Sequence, residues 1–271
     1  MKGRLCGRYN ASAKHFMVAS MDARSGPFDE FSTATALLTR LPVGAAVPAD
    51  GAIAAAGWAF PLVGAGIGAL CALAFLIAEL VGCGAAPAAL IAVAAGLAVT
   101  GAFHEDGLAD TADGFGGGNG RDEKLRIMRD SRHGSFGVVA LVLSIGLRAA
   151  ALGTIGEPIH AGLALIAAHA ASRGVLPPLM RVLASVRPDG IGAGAGRPSL
   201  AVAIAAAAIG SAVAIALLGP LSGAIALLLA GGAVVLAALL ARRQIGGYTG
   251  DVLGFFQQIG EIVILLVAAA K

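Results

Sequence analysis

Seven long apolar runs dominate the chain, and they leave it one solvent in which to fold. They cover roughly residues 52–80, 85–103, 136–156, 159–180, 199–219, 221–241 and 252–270. A helix needs about 20 residues to cross a ~30 Å hydrocarbon layer, and these runs reach or approach that length. In lipid every backbone N–H and C=O must find a partner inside the protein, so the runs become helices or the strands of a closed barrel. They are built of Ala, Leu, Ile and Val with scattered Gly and show no alternation of period two, which fits close-packed helices and argues against a barrel. Composition agrees: 58% of the residues are hydrophobic and 13% charged, against ~25% charged in soluble domains. Mean hydropathy is +0.85. The expected fold is an all-α, polytopic membrane bundle of about seven transmembrane helices.

Charge placement predicts its topology. Six Lys/Arg precede or include Arg40, five lie in 104–135, three in 181–198, and Arg242 and Arg243 follow the sixth run. The turns near 82–84, 156–160 and 219–222 carry none. This alternation follows the positive-inside rule and predicts a cytoplasmic N-terminus with Lys271 outside. The net charge of +3 is therefore a topology signal, and no basic stripe points to nucleic acid. Cys6, Cys71 and Cys83 have neither disulfide nor zinc-ligand spacing. No apolar signal-peptide core leads the chain. Residues 1–30 read as a cytoplasmic extension in which disorder is left open, and 31–271 as one transmembrane catalytic domain with an active-site loop at 104–135.

That loop carries the chemistry. His104 to Asp113 reads HEDGLADTAD, with Asp106, Asp110 and Asp113 at i, i+4 and i+7, on one helical face. Stacked like charges repel unless a cation sits among them. Hard carboxylate oxygens suit Mg²⁺, which usually keeps waters and phosphate oxygens in its shell. The glycine run from Gly114 to Gly120, including Gly116 and Gly117, is expected to stop the helix and let backbone N–H groups approach a ligand. A basic amphipathic helix is expected from Arg121 to Arg132, running into Asp130, Ser131 and Arg132. Acids for a metal, glycines to admit a diphosphate and arginines such as Arg129 and Arg132 to neutralise it form a set suited to phosphoryl transfer. The alternation places it on the cytoplasmic side.

The block HEDGLADTADGFGGG, followed by IMRDSRHGSFG, resembles the cobalamin synthase family, the adenosylcobinamide-GDP ribazoletransferases. Four further segments resemble the family in the same order: Phe31 to Val43, Phe60 to Gly64, Ser172 to Arg181, and Gly246 to Gly254. The resemblance covers about Phe31 to Leu266. Glu105 departs from it, standing where the family often has an apolar residue; it is expected to face the headgroups, or else to add a carboxylate near the metal. What the resemblance implies is a Mg²⁺-dependent transferase in the bacterial cytoplasmic (inner) membrane, its active site facing the cytoplasm. Its small-molecule substrates would be adenosylcobinamide-GDP and α-ribazole or the 5′-phosphate, and its products GMP and adenosylcobalamin or the 5′-phosphate.

On this reading Asp106 and Asp110 hold the metal, and Asp113 shares it or takes the hydroxyl proton. Candidate substrate contacts are His104, Gly116, Gly117, Arg129, Asp130, Ser131, Arg132, Arg173, Arg181, Thr249 and Asp251. Asp251 is weighed equally as a helix cap and as an added metal ligand. His169 is expected to be a packed interhelical hydrogen-bonder, and Arg148 to snorkel or to pair inside the bundle. Two alternatives stand beside this reading. A CDP-alcohol phosphotransferase would need D-G-x-x-A-R, and the chain has Asp110 after Gly107-Leu-Ala instead. A transporter would place ionisable groups at the membrane midplane, commonly in inverted repeats, and no repeat is visible. The sequence leaves open a homo-oligomer.

Overall fold

The structure is a computed structural model and describes residues 26–43, 51–187 and 194–270. The expectations for residues 1–25 and for Lys271 lie outside the described residues. The helices are α1 (Pro27–Leu38), α2 (Ala52–Ala56), α3 (Phe60–Leu80), α4 (Ala85–Thr100), α5 (Phe103–Gly117), α6 (Arg121–Ile127), α7 (Ser135–Ile155), α8 (Pro158–Gly174), α9 (Leu176–Val182), α10 (Leu200–Leu218), α11 (Pro220–Ile245) and α12 (Gly250–Ala269). A 3₁₀ turn, Gly57–Ala59, joins α2 to α3. No strand forms among the described residues, and the protein is an all-α bundle. Pro27 starts α1 inside what sequence assigned to the leading extension.

Among the described residues six stretches are long and apolar enough to cross a membrane: 52–80, 135–155, 158–182, 200–218, 220–245 and 250–269. The expected crossing at 85–103 takes a different form. α4 has 16 residues, about 24 Å at 1.5 Å per residue, and the chain then bends by 92° into α5. The bend is made by two successive left-handed residues, Gly101 (φ 65°) and Ala102 (φ 56°), the latter the only such non-glycine residue among those described.

α8 runs through the middle of the bundle, and glycines bring its neighbours close. A methyl group on Gly68 of α3 would lie 2.6 Å from the Ile166 Cα, and one on Gly210 of α10 3.1 Å from the Ala171 Cα. Without a hydrophobic drive between helices in lipid, such close backbone packing is what holds them together. The outer faces are apolar and exposed, for example Leu73, Ile77, Val142, Leu228 and Leu236, as a surface solvated by lipid tails requires. The polar connections gather at one end. Arg40 donates its N–H to the Val99 carbonyl (2.7 Å), and Tyr248 donates to Ala184 (2.9 Å). Arg121 reaches the Ile245 carbonyl at 3.0 Å, and Arg187 reaches that of Leu125 at 3.3 Å. The segments around 40, 101–134, 183–187 and 246–249 therefore share one face, as the charge alternation anticipates.

Two local expectations are corrected. The glycine run does not stop the aspartate helix at Gly114; α5 continues to Gly117. Gly114 is packed against Met128, and a methyl group on Gly116 would lie 2.6 Å from the Phe136 ring, so these glycines serve close packing. The basic helix is shorter than expected: α6 ends at Ile127, and 130–132 form a turn in which Asp130 accepts from the Arg132 backbone N–H at 3.1 Å.

Candidate active site

α5 is held by its two ends and its glycines. A methyl group on Gly107 would lie 2.6 Å from the Asp251 carbonyl oxygen, and one on Gly254 2.9 Å from that of His104. Without side chains at these positions α5 crosses the start of α12 in contact, which brings Asp106 and Asp110 beside Asp251. Electrostatically, Asp110 faces Asp106, Asp251, His133 and Arg187. The His133 ring lies 4.0 Å from Asp106 and 3.8 Å from Asp110. Asp251 accepts from Arg187 at 2.8 Å and from the Thr249 hydroxyl at 3.2 Å. Capping of α12 falls to Thr249, whose Oγ1 accepts from the Val252 N–H at 3.3 Å; Asp251 is not the cap, and its carboxylate faces the cluster. Arg187, the counter-charge here, lies in a connection without periodicity or motif, and sequence reasoning missed it.

Asp113 behaves differently from its two neighbours on the same face. It is buried, and its two oxygens accept the backbone N–H groups of Gly134 (2.6 Å) and Gly137 (2.8 Å). It thereby caps α7, whose first N–H groups have no partner within the helix, and its negative charge suits that end of the helix dipole. The same contact fixes the strand of chain carrying His133. Gly117, Asp130 and Arg132 line a shallow depression of about 440 Å³ around Asp113, together with Arg126. Asp130 and Arg132 pair at 3.0 Å, and these hydrogen bonds from Arg132 hold the Asp130 carboxyl down at about 2. Ser131 and Arg129 are exposed in the same turn.

Other candidates lie away from this cluster. Arg181 donates to the Pro198 carbonyl at 2.9 Å. Arg173 is 1% exposed and belongs to a buried ionic group instead of the surface site. There, Arg148 bridges Glu105 (2.9 Å) and Glu261 (3.0 Å). Glu261 also meets His169 (3.1 Å) and Arg173 (3.5 Å), and Gln258 donates to Glu105 at 3.1 Å. Glu105 thus faces neither headgroups nor metal. It ties α5 to α7 and α12, because a carboxylate this deep requires a paired, hydrogen-bonded charge. His169 and Arg148 pair inside the bundle, as expected.

Donor chemistry decides what the cluster could hold. Among the described residues no group of three or more His, Cys, Asp or Glu side chains is arranged to hold a metal by itself. Mg²⁺ does not need such a cage, since one or two carboxylates with substrate phosphates and water complete its shell. Asp106 is exposed at the edge of a cavity and Asp110 lies partly buried, with His133 near both; both are hard donors and fit that role.

Fold and site together define a class: polytopic, all-α membrane proteins with an aspartate-lined site at one end of the bundle. The family model described as cobalamin-5-phosphate synthase matches residues 30–269, and the chain belongs to that family. It is 51% identical over 238 residues to a protein of Bradyrhizobium diazoefficiens named adenosylcobinamide-GDP ribazoletransferase, covering 88% of this chain and 92% of that protein. Relatives with the same name from Mesorhizobium japonicum and Rhizobium johnstonii are 46% and 44% identical, covering 89% and 87% of this chain and 93% and 94% of theirs. No solved structure matches the chain.

Proposed function

We propose that this protein transfers the adenosylcobinamide-phosphate group of adenosylcobinamide-GDP to a free ribose hydroxyl of α-ribazole, or of its 5′-phosphate, releasing GMP. The observation that carries the reading is family membership over nearly the whole chain, combined with aspartates gathered at the loop end of the bundle. In the reaction the acceptor oxygen bonds to the cobinamide-linked phosphorus. The bond from that phosphorus to the bridging oxygen breaks, GMP leaves with the oxygen, and the hydroxyl proton is given up.

Asp106 and Asp110 would hold Mg²⁺, which when bound supplies positive charge to the diphosphate and orients it. Asp251, kept in place by Thr249 and Arg187, lines the opposite side and steers the acceptor. Arg126 and Arg132, around Asp113, supply charge for the diphosphate oxygens. Asp113 anchors the segment bearing His133 beside the two outer aspartates. The positive-inside alternation supports a site facing the cytoplasm, in the inner membrane.

Purified protein in nanodiscs, given adenosylcobinamide-GDP, α-ribazole and Mg²⁺, is expected to form GMP and adenosylcobalamin. EDTA should stop turnover and added Mg²⁺ restore it. Failure of the wild-type protein to release GMP under these conditions would refute the transfer. Full activity after exhaustive chelation, or in Asp106→Ala or Asp110→Ala, would refute the metal assignment alone.

A further inference from the structure

Beside the aspartates lies a cavity of about 160 Å³ to which the reaction steps above give no role. It is bounded by α1, α3, the start of α5, α9 and the start of α12. One end is apolar, walled by Leu37, Leu38, Phe60, Phe103, Leu176 and Met180; the other carries Asp106, Arg187, Thr249 and Asp251. His104 forms part of its wall. That residue is 2% exposed, and neither of its ring nitrogens has a hydrogen-bond partner. A buried polar group left unpaired in a native protein calls for an explanation, and a ligand group is one.

We propose that this cavity binds the heterocyclic base of the acceptor nucleoside, with the ribose directed toward Asp106 and Asp251; this presupposes the ribazole transfer proposed above. Size favours it: an apolar cavity of about 150 Å³ admits a benzene ring, so a flat bicycle whose ribose projects from the polar end matches this space, whereas a corrinoid macrocycle does not fit. Chemistry favours it too. The base of α-ribazole is a benzimidazole with two methyl groups and a single unsubstituted ring nitrogen. Its methylated edge suits the apolar wall, and that nitrogen can take one hydrogen bond from a neutral imidazole. Guanine, the base of the donor, would bury several donors and acceptors against Leu, Phe and Met without partners. The polar end then receives the ribose, which carries the reacting hydroxyl to the carboxylates.

The test is steady-state kinetics of the full-length protein in nanodiscs, with the KM of each substrate measured at saturation of the other. Met180→Trp fills the apolar end, and His104→Phe removes the ring nitrogens. Each is expected to raise the KM for α-ribazole about tenfold, equivalent to ~1.4 kcal/mol, with the KM for adenosylcobinamide-GDP within about twofold. His104→Asn, which keeps a donor, should recover part of the loss. Met180→Ala, which enlarges the cavity and guards against misfolding of the crowded variant, should improve use of nucleosides with bulkier bases relative to α-ribazole. An α-ribazole KM indifferent to all four substitutions, as for a void filled by a lipid chain, overturns the assignment, as does a parallel rise in both KM values. Those results leave the transfer standing, because product still forms. Absence of product with the wild-type protein removes the transfer, and the base pocket with it.

Discussion

Replacing Glu105 by leucine tests how the aspartate helix is held. Glu105 is 5% exposed, and its carboxylate lies 2.9 Å from Arg148. The buried group has two carboxylates, Glu105 and Glu261, against two guanidiniums, Arg148 and Arg173. Leucine at 105 leaves Arg148 sharing Glu261 with Arg173 and His169, and one positive charge uncompensated among buried groups. Removing one partner of a buried pair costs about 3–5 kcal/mol, while replacing both by apolar groups is often close to neutral. Glu105→Leu should therefore lose ~3–5 kcal/mol of stability, and the double substitution Glu105→Leu/Arg148→Leu should recover most of it, since Glu261 and Arg173 still balance. The measurement is SDS titration of the purified protein in mixed micelles, followed by circular dichroism, with the four proteins forming a double-mutant cycle. A loss below ~1 kcal/mol for the single variant, or additive losses in the double, would show that the charge balance of this group is not what secures α5.

Three further outcomes follow from the same geometry. Ala102→Gly relieves a left-handed alanine and should stabilise the protein by about 1 kcal/mol in the same titration; no change would mean that the bend is unstrained. Gly107→Ala drives a methyl group onto the Asp251 backbone and should cost ~1–3 kcal/mol, with kcat falling by about 10²-fold as Asp106 and Asp251 separate; unimpaired turnover would contradict the contact. Asp113→Asn weakens the hold on Gly134 and Gly137, so stability should fall by ~1.5–3 kcal/mol together with activity. Lost turnover at unchanged stability would instead assign Asp113 to proton transfer.

Most of the bundle is legible in the sequence because run length is a local property. Pro220 after Gly219, and the polar connections between runs, mark where helices turn. The bend at Gly101 and Ala102 is not legible, since nothing distinguishes these residues from the small residues on either side. The site is legible to the extent that it lies on one helix: spacing places Asp106, Asp110 and Asp113 on a common face. It does not reveal that the partners of Asp113 are N–H groups more than 20 residues away at the start of α7, nor that Arg187 meets Asp251. Glu105 illustrates the limit most clearly. Its character depends on Arg148, Gln258 and Glu261, which only the packed bundle brings to it.

The buried ionic group also bears on how the protein is made. Arg148, Arg173 and Glu261 sit on α7, α8 and α12, and synthesis delivers them to the membrane in that order. A charge at the centre of an inserted helix costs about 2.5–3.5 kcal/mol on translocon scales. The two arginine helices therefore enter the bilayer before their shared carboxylate exists, with α10 and α11 still to be made. Until α12 arrives, the nascent chain is a set of reluctant helices with Glu105 as its one acidic counterweight in this group. Its assembly closes like a clasp from the C-terminal side, where Glu261 completes the group.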